Sequence, residues 1–250
     1  YRGDCTEMPD IAEEVARVYG YENIPSTRPA APISKGEAGF HHDVGEKISS
    51  ILSSSGLNET VTFSFMHPDQ LKKLLFKDGD AVYNAVPILN PITEDFPLMR
   101  TTLVPTLMDV LVRNQAVKNP SVGIYEIAPV YRPKQLPLTE LPEQEFYVSG
   151  LLYGQRTPAE WPAKAENYDF YDVKGLVEAV LQGLGIQADL EVSDWALLHP
   201  GKAARYVKDG KVLCDFGELH PKAIDNYDVA GPVYVFEMHM DAILPLVNLL

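Results

Sequence analysis

Between Pro9 and Val18 the apolar residues Ile11, Val15 and Val18 recur at helical spacing, behind a proline at the first helical position and ahead of Gly20. A short two-sided helix is expected there. Residues 26–39 carry Pro29, Pro32, Gly36 and Gly39 among Ser, Thr and Ala, too little apolar surface to order by itself, and read as a linker. Beyond it, Ile48, Ile51 and Leu52 predict a helix over 40–55 stopped at Gly56, and Thr60 to Phe65 reads as a strand. Further helices are expected over 69–76 and over 103–114, where Leu103, Leu107, Val110 and Leu111 share a face.

Val122 to Val130 and Glu145 to Tyr153 read as strands. Between them, Arg132 to Glu143 holds Pro133, Pro137 and Pro142, which cannot donate to a ladder, so this stretch is expected to bow out as a loop. Leu176, Val177, Val180 and Leu181 place a helix over 172–184, and 203–207 with 211–216 forms a hairpin closed by Lys208-Asp209-Gly210. A strand over 233–238 precedes a terminal helix. Strands joined by hairpins and long loops, with helices inserted irregularly, predict the α+β class: an antiparallel sheet flanked by helices. The chain opens on Tyr1 rather than Met and stops in the apolar run Ile243-Leu244-Pro245-Leu246-Val247, so it is expected to be a piece of something longer.

At 250 residues and 46% hydrophobic, the chain can bury a sizeable core without metals or disulfides. Its formal net charge of −14 repels phosphate backbones and anionic lipid, which argues against a stand-alone nucleic-acid binder. The two cysteines, Cys5 and Cys214, lie in no Cys-x-x-Cys, which argues against a thiolate zinc site and fits a reducing, cytoplasmic setting. No apolar run approaches the roughly 20 residues of a membrane span.

Asp10, Glu13 and Glu14, at i, i+3 and i+4, put three carboxylates on one helix face, and Asp4 can fold back over the first turn past Gly3 and Pro9. Two readings stay open on spacing alone. The acids complement the helix dipole, or with a hard cation, Mg²⁺ first, they form an all-oxygen site. Arg17, one turn further on, can also neutralise part of the charge.

The strings Arg2-Gly3-Asp4, Asp10-Ile-Ala-Glu13-Glu14-Val-Ala-Arg17 and Tyr19-Gly20-Tyr21-Glu-Asn23-Ile24-Pro25 resemble the end of the B5 domain in the phenylalanyl-tRNA synthetase beta-subunit family. The resemblance continues in order through Asn58-Glu59, Ser64-Phe65, Asn90-Pro91-Ile92, Met99-Arg100-Thr-Thr-Leu103-Val-Pro105, Tyr125-Glu126-Ile127, Asp169-Phe170-Tyr-Asp172-Val-Lys174-Gly175, His199-Pro200-Gly201 and Gly217-Glu218-Leu219-His220-Pro221. It covers residues 1–241 and implies a B5 tail over 1–25, a linker over 26–39, a class II synthetase-like module over 40–241, and in 242–250 the start of a connection to a further domain. It also implies that Asp4, Asp10, Glu13 and Glu14 hold a Mg²⁺ ion at a site shared with the alpha subunit.

The same resemblance implies a module without catalysis. A class II adenylate-forming site needs an arginine on its motif 2 strand to grip the α-phosphate of ATP, and here that strand reads Ile124-Tyr125-Glu126-Ile127. No arginine follows Gly183-Leu184-Gly185-Ile186, which reads as a helix C-cap. Arg132 is expected in the loop as a solvated charge, and Arg100 is expected to pair with Glu94 and Asp95. No catalytic or cofactor-binding residue is therefore expected. The implied role is to support the catalytic alpha subunit in an (αβ)₂ complex that charges tRNA(Phe) with phenylalanine, using ATP that this chain does not bind. The rivals are a self-sufficient adenylate-forming ligase and a Mg²⁺-dependent hydrolase. Synthetase-like dimers use the first long helix and the strand after it, here 40–65, where an apolar stripe serves either core or interface. His41-His42 read as a surface pair, and His199-Pro200 and His220-Pro221 as turns.

Overall fold

The structure, a computed structural model, describes residues 2–28, 30, 36, 39–91, 93–157, 161–162 and 164–248. Pro29 and Pro32 of the expected linker, Tyr1, Ile92 and residues 249–250 lie outside the described residues. The chain divides into two compact units, Tyr1–Ala38 and Gly39–Leu250.

The first unit carries helix α1, Met8–Tyr19, one residue longer at each end than its apolar spacing predicts. Gly20, at φ +95°, ends it, with its N–H on the Ala16 carbonyl. None of the residues of α1 is buried.

The second unit opens with α2, Phe40–Ser54, followed by the short strands β1, Asn58–Glu59, and β2, Phe65–Met66. Then come α3, Pro68–Lys73, β3, Leu98–Met99, and α4, Val104–Ala116. The long strands β4, Ser121–Arg132, and β5, Glu143–Thr157, are followed by β6, Glu166–Asn167, and α5, Phe170–Gly183. The chain closes with β7, Asp189–Val192, β8, Leu198–Lys208, β9, Lys211–Leu219, α6, Pro221–Asn226, β10, Val233–His239, and α7, Met240–Ile243.

The main sheet has the order β1-β4-β5-β10-β9-β8-β7, with β6 on β5. Its pairings are antiparallel except β1 with β4, which is parallel, so the expected α+β class with an antiparallel sheet holds. Strands β2 and β3 make a separate pair. At the β8–β9 hairpin, Asp209 and Gly210 take φ +51° and +74°, the left-handed pair that a two-residue hairpin turn demands.

Helices pack on both faces of the sheet. On one, Val44, Ile48 and Leu52 of α2 and Val173, Val177 and Val180 of α5 meet Tyr125, Val148, Leu152, Phe216 and Phe236. The apolar stripe of α2 is thus core. Tyr125 anchors this helix, its hydroxyl within 2.8 Å of Ser49 Oγ and 2.9 Å of Ser53 Oγ. On the other face, Leu107, Met108 and Leu111 of α4 pack on Val122, Ile124, Leu151, Val233 and Val235. Gly150, in the middle of β5, has a packing reason: a Cβ there would lie 2.3 Å from Phe236 Cε1.

Two sequence expectations are corrected here. The stretch 60–65 is not one strand: the Thr60 N–H still reaches the Tyr125 carbonyl, but the Thr62 N–H goes to the Glu126 carboxylate, so a side chain replaces the ladder. Strands β4 and β5 also run further than expected, in register to Arg132 opposite Glu143, so Arg132 stands on a strand and only the prolines beyond it bow out. Strand β7, exposed throughout, has too little apolar alternation to be read from sequence.

Candidate functional site

Side chains alternate between the faces of a strand, so residues opposite one another in register share a face. Glu126 of β4 lies opposite Ser149 of β5, which lies opposite Glu237 of β10; Glu237 lies opposite Asp215 of β9, and Asp215 opposite Arg205 of β8. A polar row thus crosses the sheet on the α4 side, beside the apolar rows of Ile124, Leu151 and Val235. Glu126, Ser149 and Glu237 are buried. Buried charge must be neutralised or hydrogen-bonded.

For Glu126 the neutraliser is Arg100. Arg100 Nη1 donates to Glu126 Oε1 at 2.9 Å and to Thr62 Oγ1 at 2.9 Å, its Nε donates to the Pro129 carbonyl at 3.0 Å, and Thr62 Oγ1 donates to Glu126 Oε2 at 2.8 Å. Arg100 and Glu126 are 1% and 2% exposed, so this is a full ion pair in the interior. The expected pairing with Glu94 and Asp95 is therefore corrected. The β2–β3 pair and the Arg100 N–H on the Ser64 carbonyl turn this arginine inward, onto an acid that lies across the sheet.

Glu237 takes Thr102 Oγ1 at 2.8 and 3.0 Å and the Leu103 N–H at 2.9 Å. Burial pushes its carboxyl up to about 7, against the pull of the Leu103 N–H and the Thr102 hydroxyl. One turn of the pleat away, Arg132 Nε donates to Glu145 Oε2 at 3.1 Å and Nη2 to the Tyr147 hydroxyl at 2.9 Å, while the rings of Tyr147 and His239 lie 4.7 Å apart. Burial raises the Tyr147 phenol and lowers the His239 imidazole, so both stay neutral near pH 7.

Residues 100–103, each at most 1% exposed, cover this row. The guanidiniums in and beside it are committed: Arg100 to Glu126, Arg132 to Glu145 and Tyr147, Arg205 to Asp194 and Asp215. A small cavity of about 210 Å³ borders the row at Thr62, between Phe63 and Phe65 on one side and Asp109 and Arg113 of α4 on the other; a larger space lies on the other face. A groove of about 640 Å³ is lined by His41, His42, Glu46, Ser49, Glu59 and Phe146 between the first turns of α2 and the outer sheet face. His199, on β8 rather than in a turn, and His220, the N-cap of α6, each accept at Nδ1 from a backbone N–H two residues on. Gly185, at φ +70° behind α5, closes that helix as the C-cap reading had it.

In the first unit, Arg2 grips Asp4, with Nη2 2.8 Å from Oδ2, and reaches Glu14 Oε1 at 2.9 Å; Arg17 donates to Glu14 Oε2 at 2.7 Å. Arg2 holds the Asp4 carboxyl below the usual carboxylate range, and Arg17 first and then Arg2 do the same for Glu14. Asp10 accepts from the Thr6 and Glu7 N–H groups at 3.0 and 2.9 Å, a helix-start role, and Glu13 is exposed. As they stand, the four acids form no ligand shell: among the described residues no group of three or more His, Cys, Asp or Glu is placed to hold an ion.

A family model for the phenylalanyl tRNA synthetase beta chain CLM domain matches residues 24–240. The chain belongs to the phenylalanyl-tRNA synthetase beta-chain family. Among curated beta-chain relatives, the phenylalanine–tRNA ligase beta subunit of Geobacter metallireducens is 35% identical over 242 residues, 96% of this chain and 30% of that one. The corresponding subunit of Clostridium acetobutylicum is 34% identical over 251 residues, 100% of this chain and 30% of that one. The chain thus spans about 30% of the length of the beta subunits it matches. Among solved structures, a pyrrolysyl-tRNA synthetase of Desulfitobacterium hafniense matches with a TM-score of 0.62 at 16% identity, over 95% of this chain and 74% of that one. At that identity the likeness is one of fold, that of class II tRNA synthetases.

Sequence reasoning about this beta-chain member missed Glu237 and misplaced Arg132. A signal for the first was present: Glu237 is a lone charge inside the apolar run Val233-Tyr-Val-Phe-Glu-Met238, and a strand buried on both faces carries such a charge only with a dedicated partner.

Proposed function

We propose that the chain is a non-catalytic module of a phenylalanine–tRNA ligase beta subunit, supporting a catalytic alpha subunit in a cytoplasmic (αβ)₂ complex that charges tRNA(Phe) with phenylalanine at the expense of ATP. The observation that carries this reading is the buried Arg100–Glu126 pair beneath residues 100–103. A phosphate-gripping guanidinium must be free to meet the nucleotide, and here the two nearest candidates are committed to carboxylates of the chain itself. A fold kept for its surfaces fits this arrangement. The groove beside α2, within the 40–65 region of synthetase-like interfaces, is the surface proposed to meet the alpha subunit.

ATP–pyrophosphate exchange by the isolated chain is expected at background, together with co-purification of the chain with a co-expressed alpha subunit. Exchange above background, or a nucleotide ordered over the polar row, would establish the rival self-sufficient ligase.

The proposal extends to Mg²⁺ at Asp4, Asp10, Glu13 and Glu14. Arg2 and Arg17 now supply the counter-charge that an ion would bring, so binding requires their displacement and oxygen ligands from the alpha subunit. Calorimetry is expected to detect Mg²⁺ binding to the complex and none to the chain alone. Tight binding to the isolated chain that survives Glu13→Ala would sink the shared site.

A further inference from the structure

A carboxylate in the interior of a sheet face keeps its charge only beside a cation; otherwise it keeps a proton. In the polar row, Glu126 has its cation in Arg100. Glu237, 3% exposed and two strands away in the same row, has no lysine, arginine or histidine within ion-pairing distance among the described residues. Its hydrogen-bond partners there are the Thr102 hydroxyl and the Leu103 N–H, both on the segment that leads into α4.

The groups facing it from each packed element leave the proton as the neutraliser. From β4, Arg132 is tied to Glu145 and to Tyr147 of β5. Also from β5, the Ser149 hydroxyl donates to the Phe236 carbonyl, not to Glu237. From β9, directly opposite, comes another acid, Asp215, itself paired with Arg205 of β8 at 3.4 Å and hydrogen-bonded by the Ser193 hydroxyl, beside the buried neutral thiol of Cys214. On β10 itself, His239 packs at a tilt against Tyr147 and is held neutral by burial. The acid Glu126 lies beyond Ser149, already paired.

The protonated carboxyl meets both partners: one oxygen accepts the Leu103 N–H, and the other lies 3.0 Å from Thr102 Oγ1, close enough to share a proton with it, while Thr102 Oγ1 also accepts the Val104 N–H at 3.4 Å. Once ionised, the same group is a buried anion held by a neutral hydroxyl and one amide. Residues 100–103 precede α4 as irregular chain, and Leu103, its N-cap position, has no side-chain cap of its own.

We propose that Glu237 is a proton-neutralised clasp, fastening Thr102 and Leu103, and with them the start of α4, over the polar row, so that once its proton is lost the cost of burying the anion favours opening of that cover. The clasp rests on the buried row alone and holds whether or not the chain supports a catalytic partner. It gives the covered face an opening that grows as pH rises to neutrality and levels off above it, in a direction opposite to ordinary acid loosening.

Amide hydrogen exchange of the full chain tests this, with protection factors at Leu103 and the first turn of α4 corrected for the intrinsic pH dependence of exchange. In the parent chain, protection there is expected to fall about 10-fold or more between pH 6 and pH 9, relative to amides in β5. In Glu237→Gln, whose amide donates to Thr102 and accepts from Leu103 as the acid does, protection should stay level. Parallel profiles for the two chains would overturn the clasp. Should the variant fail to fold, ¹³C-detected titration of the Glu237 carboxyl in the parent chain decides: a midpoint near neutrality supports it, and one in the ordinary range of about 4–5 overturns it.

Discussion

Replacing Arg100 with Met is expected to destabilise the chain by about 3–5 kcal/mol, the loss that follows when one partner of a buried ion pair is removed and the other stays behind uncompensated. The reasoning is local. Arg100 and Glu126 are both essentially inaccessible, and the guanidinium also donates to the Pro129 carbonyl and braces Thr62, so its removal leaves a buried carboxylate with only the Thr62 N–H and hydroxyl and no cation, and takes a donor from the carbonyl. Adding Glu126→Leu to Arg100→Met should restore most of the lost stability, because an apolar pair of similar volume needs no desolvation. Urea unfolding of the single and double variants measures both numbers. A single variant within about 1 kcal/mol of the parent, the value of an exposed pair, would show that the ion pair is not closed to water.

The second large effect is a fall in stability with rising pH that traces to Glu237. Its folded-state value, about 7, lies above the 4.5 of the unfolded chain. Between those values the folded state keeps a proton that the unfolded state has released, so the stabilisation is complete below about 4.5 and is lost as pH climbs through about 7. The loss integrates to about 3 kcal/mol at pH 8, an order-of-magnitude figure from 1.36 kcal/mol for each tenfold change in proton affinity. Glu237→Gln should therefore be more stable than the parent at pH 8 and close to it at pH 5. Chemical unfolding at the two pH values checks the sign. A variant less stable than the parent at pH 8 would mean that the carboxylate is ionised and favourably held. Asp4 and Glu14, whose carboxyls lie below their ordinary values, act in the opposite direction at acid pH, but both are solvated and contribute little.

Elements whose pattern is local were legible from the residues. The period of Ile48, Ile51 and Leu52 announced α2, the prolines after Arg132 announced the β4–β5 loop, and Lys208-Asp209-Gly210 announced the hairpin turn. Strand ends were misjudged where register decides them: Arg132 reads as loop beside Pro133, yet it is held on β4 by Glu143 opposite. The break in 60–65 was invisible because the competing acceptor, the Glu126 carboxylate, is 64 residues away from Thr62. The four acids near the start are visible as a cluster, and Arg17, one turn along the same helix, is a partner that spacing shows; Arg2 is not, because its reach to Glu14 depends on how the chain folds back ahead of α1.

What the residue order settled by itself is the sheet-and-helix class, the hairpins, the helix faces and the family, since those rest on spacing and on short strings that survive without any knowledge of neighbours. Folding alone decided which charges meet. Arg100 with Glu126, Thr102 with Glu237 and Arg132 with Tyr147 are joined although 26, 135 and 15 residues apart in the chain, and whether an ionisable group is free for chemistry depends on such encounters in a low-dielectric interior.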